Sequence, residues 1–393
     1  MSGAADTDPT TVATLVVVGA ASGYGLAWLT LLAIPALAVV QVLATRVGAL
    51  TGRNLQRAVQ DGYGRLVSSL LLVSVLVVNV VTVGADIAAG AAAIGLLVGL
   101  ESRWLVPVFA VAVLTLLFLG GYDEVERVLK WIMIGLLAYG GAVVLARPEW
   151  SAVARGSLLP PLSVTAAHVT GALAILGTLL TTYMYLWQTV EQVEEKAAGK
   201  SLRIREFDAV VGATLACVIG WSILVASGAT LGVHHEKVDT AQQAAQALRP
   251  LAGSLASELF AVGLLAAAVI AAPVIMAAGG YAAASAFGWR RGLSYRPRQA
   301  PGFYALIALQ AVVGSVLAMG VVSPIRLLFF ASLVAGVATP FGLVLLVLCA
   351  GNPRLVGERP ISRGLRAAGW FVAAGTAAVS LLFLAQQFHL VRL

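Results

Sequence analysis

SGAADTDPTT, residues Ser2–Thr11, places two carboxylates, Asp6 and Asp8, and a proline, Pro9, directly ahead of an apolar run that continues to Gly23. A charged side chain at the centre of a membrane-spanning helix costs about 2.5–3.5 kcal/mol on insertion scales. Paired acids at the mouth of such a run therefore point to a use beyond structure. Further along, TLLTTYMY (Thr178–Tyr185) interrupts a second apolar run with hydroxyls. The fold follows from taking these as two breaks in membrane helices that the rest of the chain brings together.

Composition supports that setting. Of the 393 residues, 60% are hydrophobic and 11% are charged, against about 45–50% and 25% in soluble domains. The chain is an all-α polytopic membrane protein, a single transmembrane domain over residues 1–393. The net charge of +7 does not signal nucleic acid, because the basic residues fall between apolar runs, the pattern of membrane orientation. Cys217 and Cys349 lie inside apolar runs without metal or redox spacing, and serve packing. No HExxH motif or Ser/His or Cys/His nucleophile constellation is present, which argues against an enzyme.

A spanning helix needs about 20 apolar residues. Thr10–Gly23 is short, a half-helix, and a turn at Gly23-Tyr24-Gly25 leads to a span at Leu26–Ala44. Arg46–Arg65 is expected to be a polar connector, and Leu66–Leu100 is too long for one upright crossing. Further spans follow at Trp104–Gly120, Val128–Ala146, Ala166–Glu191 (the broken one), Phe207–Gly232, Leu251–Trp289, Pro301–Val321, Leu327–Cys349 and Leu365–Phe388. Alternate connectors hold eighteen of the 25 Lys and Arg residues, in groups at 46–65, 127–130, 196–205, 290–298 and 354–366. The positive-inside rule makes that side cytoplasmic. It sets the chain in the inner (cytoplasmic) membrane, starting inside and ending outside.

The segments divide into two sets of five plus one: 1–146, 166–350 and the extra helix 365–388. The first segment of each set is broken and the third is over-long. Five helices per set invert the second relative to the first, the pattern of secondary transporters whose site lies between discontinuous helices at mid-membrane.

Pro9 lacks an N–H and disfavours helix at Asp8, so the backbone around Asp6–Thr11 is expected to be unwound, with carbonyls free. In the second break the hydroxyls of Thr178, Thr181 and Thr182 compete for backbone groups. Carboxylates, hydroxyls and carbonyls are hard oxygen donors that suit Mg²⁺, Mn²⁺ or Ca²⁺. The alternative for the acids is a solvated tail that caps the first helix. Asp86, in VGADIAAG, is an intramembrane acid and a functional candidate by position. Glu191, Glu194 and Glu195 share one helical face, either lining a cation exit with Gln188 or pairing with Lys196, Lys200 or Arg203. His234 and His235 belong to a solvated loop.

SGAADTDPTTVATLVVVGAASGYGLAWL, VGALTGRNL, GTLLTTYMYLWQTVEQVEE and APVIMAAGGYAAASAFGW together resemble NRAMP-type divalent metal transporters, in particular a divergent bacterial branch with DDPS- or DNDPTT-like starts. The resemblance implies a LeuT-like fold of five plus five helices with an eleventh, inward movement of divalent metal, often with protons, and no cofactor. It implies that Asp8 is the metal-binding acid of the family's Asp-Pro-Gly-Asn motif. Thr11 stands at the Asn ligand, and Thr178 at the position lending a carbonyl. Thr181 replaces the methionine ligand and Tyr183 the histidine of a Met-Pro-His motif, and Asp6 is a second acid. Asp86 matches an acid of the proton route whose acidic neighbour is Ala89 here, and Ala338 stands for a glutamine of segment ten. The family has an apolar half-helix ahead of the motif. Only Met1–Ala5 precede Asp6, so the first helix is expected to be truncated by a start placed downstream of the true one. An amino-acid or organic-cation carrier on the same fold is the competing reading.

Overall fold

The computed structural model describes residues 8–119, 138–161, 165–194, 201–234, 237–320, 323–357 and 361–390, and among them every regular element is a helix. The principal helices are α1 (Pro9–Ser22), α2 (Ala27–Thr51), α3 (Leu55–Val98), α4 (Ser102–Leu119), α5 (Ala138–Leu145), α6 (Trp150–Leu158), α7 (Ala166–Leu179) and α8 (Thr182–Glu194). They continue with α9 (Leu202–Thr230), α10 (Ala256–Phe287), α11 (Pro301–Gly320), α12 (Pro324–Ala350) and α13 (Arg363–Gln387). Eight helices among the described residues, counting α7 and α8 as one, are long and apolar enough to cross a membrane. Of the segment expected at Val128–Ala146, the part before residue 138 lies outside the described residues, as do Asp6, Glu195, Lys196, Lys200 and His235.

Local chemistry sets the ends. Pro9 opens α1 with Asp8 as its side-chain cap; a proline at the first helical position loses no hydrogen bond the helix would have made. Asn54, Thr165, Ser201, Ser323 and Ser362 cap α3, α7, α9, α12 and α13 in the same way. His168 completes a reciprocal capping box with Thr165.

One expectation is corrected and one is refined. The backbone at Pro9–Thr11 is helical rather than unwound, and the Asp8 carbonyl already accepts the Val12 N–H at 3.2 Å. The stretch Arg46–Arg65 is mostly helix. α2 carries Arg46 beyond the apolar run because its guanidinium meets Glu206 of α9 at 2.6 Å. The chain turns at Gly52, re-enters helix at Leu55, and bends within α3 at Gly64, whose φ of 87° favours glycine. Beyond that bend α3 runs unbroken to Val98, about 50 Å at 1.5 Å per residue, so the long third segment is one helix exceeding the ~30 Å hydrocarbon core.

The two sets of helices pack onto each other through equivalent members. α3 lies along α10, α2 along α9 and α4 along α11, while α1 contacts α7. α12 packs against α1, α3 and α7, and α13 covers α12. Gly177 of α7 makes the α7–α12 approach possible: a methyl there would overlap the Ser332 carbonyl and the Gly336 nitrogen. The buried centre is therefore the meeting of α1, α3, α7, α8 and α12. Lipid-length apolar stripes such as Leu66, Leu70, Val73 and Val77 face outward.

Candidate functional site at the two helix breaks

Asp8 is 2% exposed, and each of its oxygens is held. Oδ1 accepts the Thr11 N–H and the Thr11 hydroxyl, both at 2.7 Å, and Oδ2 accepts the Tyr183 hydroxyl at 2.9 Å. The first two bonds follow from the Asp-Pro-Thr-Thr order, since a cap side chain reaches the N–H two or three residues on. The third is tertiary and ties α8 to the start of α1.

The second break is two residues, Leu180 and Thr181. The α7 ladder ends where the Leu180 N–H meets the Leu176 carbonyl, which leaves the last carbonyls of α7 directed out of the helix end. Neither proline nor glycine forms this break. The Thr339 hydroxyl of α12 bonds the Leu180 carbonyl at 3.3 Å, so a tertiary contact takes up a group that a continuous helix would have used.

Hydroxyls join the two breaks. Thr11 Oγ1 and Thr178 Oγ1 lie 2.7 Å apart. Thr10 donates to Asp86 Oδ1 at 3.3 Å, drawing α3 to the first turn of α1. Thr14 and Ser332 share a bond of 2.6 Å, drawing in α12. Thr181 Oγ1 and Asp86 Oδ2 are buried without a hydrogen-bond partner. Buried polar atoms of that kind call for a ligand or water.

The structure thus gathers Asp8, Thr11, Thr178 and Tyr183 into one bonded group and sets Thr181 at the break beside it. Asp86 reaches the group through Thr10. Gln188 and Glu191 lie on α8, leading away from the break. Gln188 donates to Thr45 of α2 at 2.9 Å, and Glu191 accepts the Trp187 indole N–H at 3.0 Å. Glu194 accepts the Tyr281 hydroxyl at 3.4 Å.

Sequence reasoning missed Thr10, Thr14, Ser332 and Thr339. Ser332 and Thr339 stand two helical turns apart on an otherwise apolar helix, and that spacing was the available signal. Ala338 is half-buried; its neighbour Thr339 makes the contact with the break. Among the described residues no three His, Cys, Asp or Glu side chains converge, and the donors gathered at the breaks are the Asp8 carboxylate, hydroxyls and carbonyls. That donor set is hard and wholly oxygen. The carboxylate also occupies the positive end of α1, where a substrate anion would otherwise sit.

Comparisons agree with this architecture. A divalent metal cation transporter, MntH, of Ralstonia nicotianae is 30% identical over 391 residues, covering 93% of this chain and 85% of that protein. An MntH of Deinococcus radiodurans is 30% identical over 93% of this chain and 84% of its own length. Among solved structures, the Eremococcus coleocola manganese transporter superposes with a TM-score of 0.80 at 19% identity, over 98% of this chain and 85% of that one. Mhp1, a nucleobase-cation-symport-1 family transporter, superposes with a TM-score of 0.61 at 16% identity, over 98% and 92%. These likenesses establish the LeuT-like inverted repeat of five plus five helices. The family model for Nramp, natural resistance-associated macrophage protein-like, matches residues 1–386, and the chain belongs to that family.

Proposed function

We propose that the protein is a secondary transporter that moves divalent cations, Mn²⁺ and also Mg²⁺, across the cytoplasmic membrane by alternating access between two inverted halves, 1–146 and 166–350, with 365–388 as an added helix. The observation that carries this is the bonding of Asp8 and Thr11, at the start of one interrupted helix, to Thr178 and Tyr183 on either side of the break in the other. Asp8, Thr11 and Thr178, with Asp6 and Thr181, form the proposed ligand set. Asp86, Tyr183, Gln188 and Glu191 line the proposed proton route or permeation path. The basic connectors face the cytoplasm and the C-terminus faces outside. MntH relatives are named as divalent metal cation transporters, which supports the cargo class.

The all-oxygen donor set supports the inclusion of Mg²⁺. A thioether ligand would favour transition metals, and none of the five proposed ligands supplies sulfur. For proton coupling, Asp86 touches the bonded group through a single hydroxyl, that of Thr10. The competing amino-acid carrier is disfavoured because Asp8 fills the place at the α1 N-terminus that a carboxylate substrate needs. Mn²⁺ uptake into proteoliposomes tests the reading. Uptake should be suppressed by millimolar Mg²⁺ and abolished in Asp8→Ala, and unchanged flux in that variant would remove the assigned site. An internal pH probe in the same vesicles reports whether protons accompany the metal.

A further inference from the structure

A second polar pocket lies far along α3 from the Asp8 site, at the bend. It has a volume of about 330 Å³ and is lined by Gln60, Arg65, Ser68, Ser69, Ala286 and Phe287 among others. Its place follows from the bend itself. Gly64 breaks the helical path between Gln60 and Arg65, and the end of α10 closes the other wall with Ala286 and Phe287.

The charges around it are arranged unequally. Asp61, the carboxylate of this connector, is already taken by Arg53 at 3.0 Å and Arg57 at 3.1 Å. Arg65 has no ion pair among the described residues and lines the pocket. Ser68 is buried and accepts an amide N–H of Gln56 at 2.7 Å, which leaves its own hydroxyl proton to give. Ser69 is exposed beside it. Gln60 Oε1 is buried without a partner; the two ends of an amide are interchangeable by rotation, so Gln60 presents either an acceptor or two donors. A guanidinium, two hydroxyls and an amide around one cavity are the groups that hold a phosphate.

The apolar surroundings say which phosphate. Leu66, Leu70, Val73 and Val77 are exposed along one face of α3 that begins beside the pocket-lining Arg65, a track the length of an acyl chain. Phe287 lines the pocket and stacks on Trp289 with ring centroids 4.9 Å apart, the interfacial aromatic signature of a headgroup level. Arg290 and Arg291 follow immediately in sequence. A free phosphate ion would use the polar cavity alone and gain nothing from the stripe.

We propose that the pocket at the α3 bend binds the headgroup of an anionic phospholipid, with its acyl chain along Leu66–Val77. Assignment to the cytoplasmic leaflet rests on the orientation proposed above; binding itself does not. Such a lipid would pin the bend of α3 against the end of α10, the helix it packs along.

Native mass spectrometry of the detergent-purified full chain, titrated with phosphatidylglycerol or phosphatidylcholine, tests this. The wild-type protein should retain one phosphatidylglycerol more firmly than phosphatidylcholine. Arg65→Gln should weaken that binding about five-fold, the effect of one basic residue at a membrane surface, and Arg65→Lys should restore most of it. Arg53→Gln, whose guanidinium is engaged by Asp61, should leave it nearly unchanged. Equal retention of the two lipids, or an Arg65→Gln variant that binds as the wild type does, overturns the proposal. Displacement of phosphatidylglycerol by millimolar inorganic phosphate at the wild-type pocket would identify a free-phosphate site and overturn it as well. The titration uses no divalent metal, so its failure leaves the transport reading standing.

Discussion

The hydroxyl of Tyr183 donates a 2.9 Å hydrogen bond to Oδ2 of Asp8. It binds the carboxylate at the start of α1 to the first turn of α8, so the two interrupted helices are joined through the proposed ligand itself. A metal that takes this oxygen competes with the tyrosine for it. Hydrogen bonds to charged groups contribute about 1.5–3 kcal/mol net. Tyr183→Phe keeps the buried ring and removes the competitor. The expected outcome is a several-fold lower KM for Mn²⁺ in proteoliposome uptake; an unchanged KM would show that metal meets Asp8 without displacing the tyrosine.

Thr11 and Thr178 share a buried hydroxyl contact of 2.7 Å across 167 residues of sequence. Thr11→Val conserves shape but strands the Thr178 hydroxyl, at about 1–3 kcal/mol, and takes a donor from Asp8, whereas Thr178→Val leaves the Thr11 hydroxyl on Asp8 at 2.7 Å. Thr11→Val should raise the KM for Mn²⁺ about ten-fold, and Thr178→Val should raise it less. The double variant should cost less than the sum, because the second substitution removes the stranded group. Strict additivity in the double-mutant cycle would mean that the two hydroxyls act separately on the metal.

Thr181 Oγ1 is buried at the second break without a partner. Replacing it with a thioether in Thr181→Met should shift preference toward softer cations. Mn²⁺ uptake by that variant should resist millimolar Mg²⁺ better than the wild type does, and Cd²⁺ should become a stronger competitor. If Mg²⁺ inhibits both proteins equally, Thr181 does not face the cargo.

The parts legible in the sequence were those written in local chemistry. Asp8 announced itself because a charge beside Pro9 at the mouth of an apolar run is costly, and the cap it forms is decided within four residues. The helix spans followed from apolar length, and the long third segment from its excess. The cross-links were another matter. Thr10 meets Asp86 across 76 residues and Thr14 meets Ser332 across 318, and a lone hydroxyl in an apolar helix can always bond its own backbone instead. The break at Leu180–Thr181 shows the same limit. Its threonines hinted at it, but what takes up its carbonyl is Thr339, 159 residues away. The Arg46–Arg65 connector did not show its helices because their charges are met by tertiary and local partners, Arg46 by Glu206 and Arg53 and Arg57 by Asp61.

Gly177 fixes how closely α7 approaches α12. Gly177→Ala would push a methyl into the backbone of Ser332 and Gly336, whereas a methyl at Gly140 would meet nothing within 4 Å. Overpacking of a buried contact costs about 1–3 kcal/mol. Gly177→Ala should therefore lower the midpoint of thermal unfolding in detergent by several degrees and reduce uptake, with Gly140→Ala close to wild type in both. Equal stability of the two variants would mean that α7 and α12 slide apart at little cost.

Asp239, between α9 and α10, forms a two-pronged pair with Arg326 at the start of α12, with both contacts at 2.7 Å. The hydrogen bond from Arg326, reinforced by its charge, holds the Asp239 carboxyl below the usual range. A carboxyl with a lowered native pKa contributes its stabilisation fully above the unfolded value, about 3.9, and loses it only as pH falls through the lower native value. The clamp is thus complete across the range from about pH 5 to 8, and hydrogen exchange at residues 237–242, corrected for the intrinsic rate, should be flat there. Asp239→Asn removes the charge at every pH and should raise exchange in that segment at pH 7. High salt should move the wild type only part of the way toward the variant, since screening weakens an exposed pair without removing its hydrogen bonds. If exchange in the wild type rises already between pH 7 and 5, the segment is held by something other than this carboxylate.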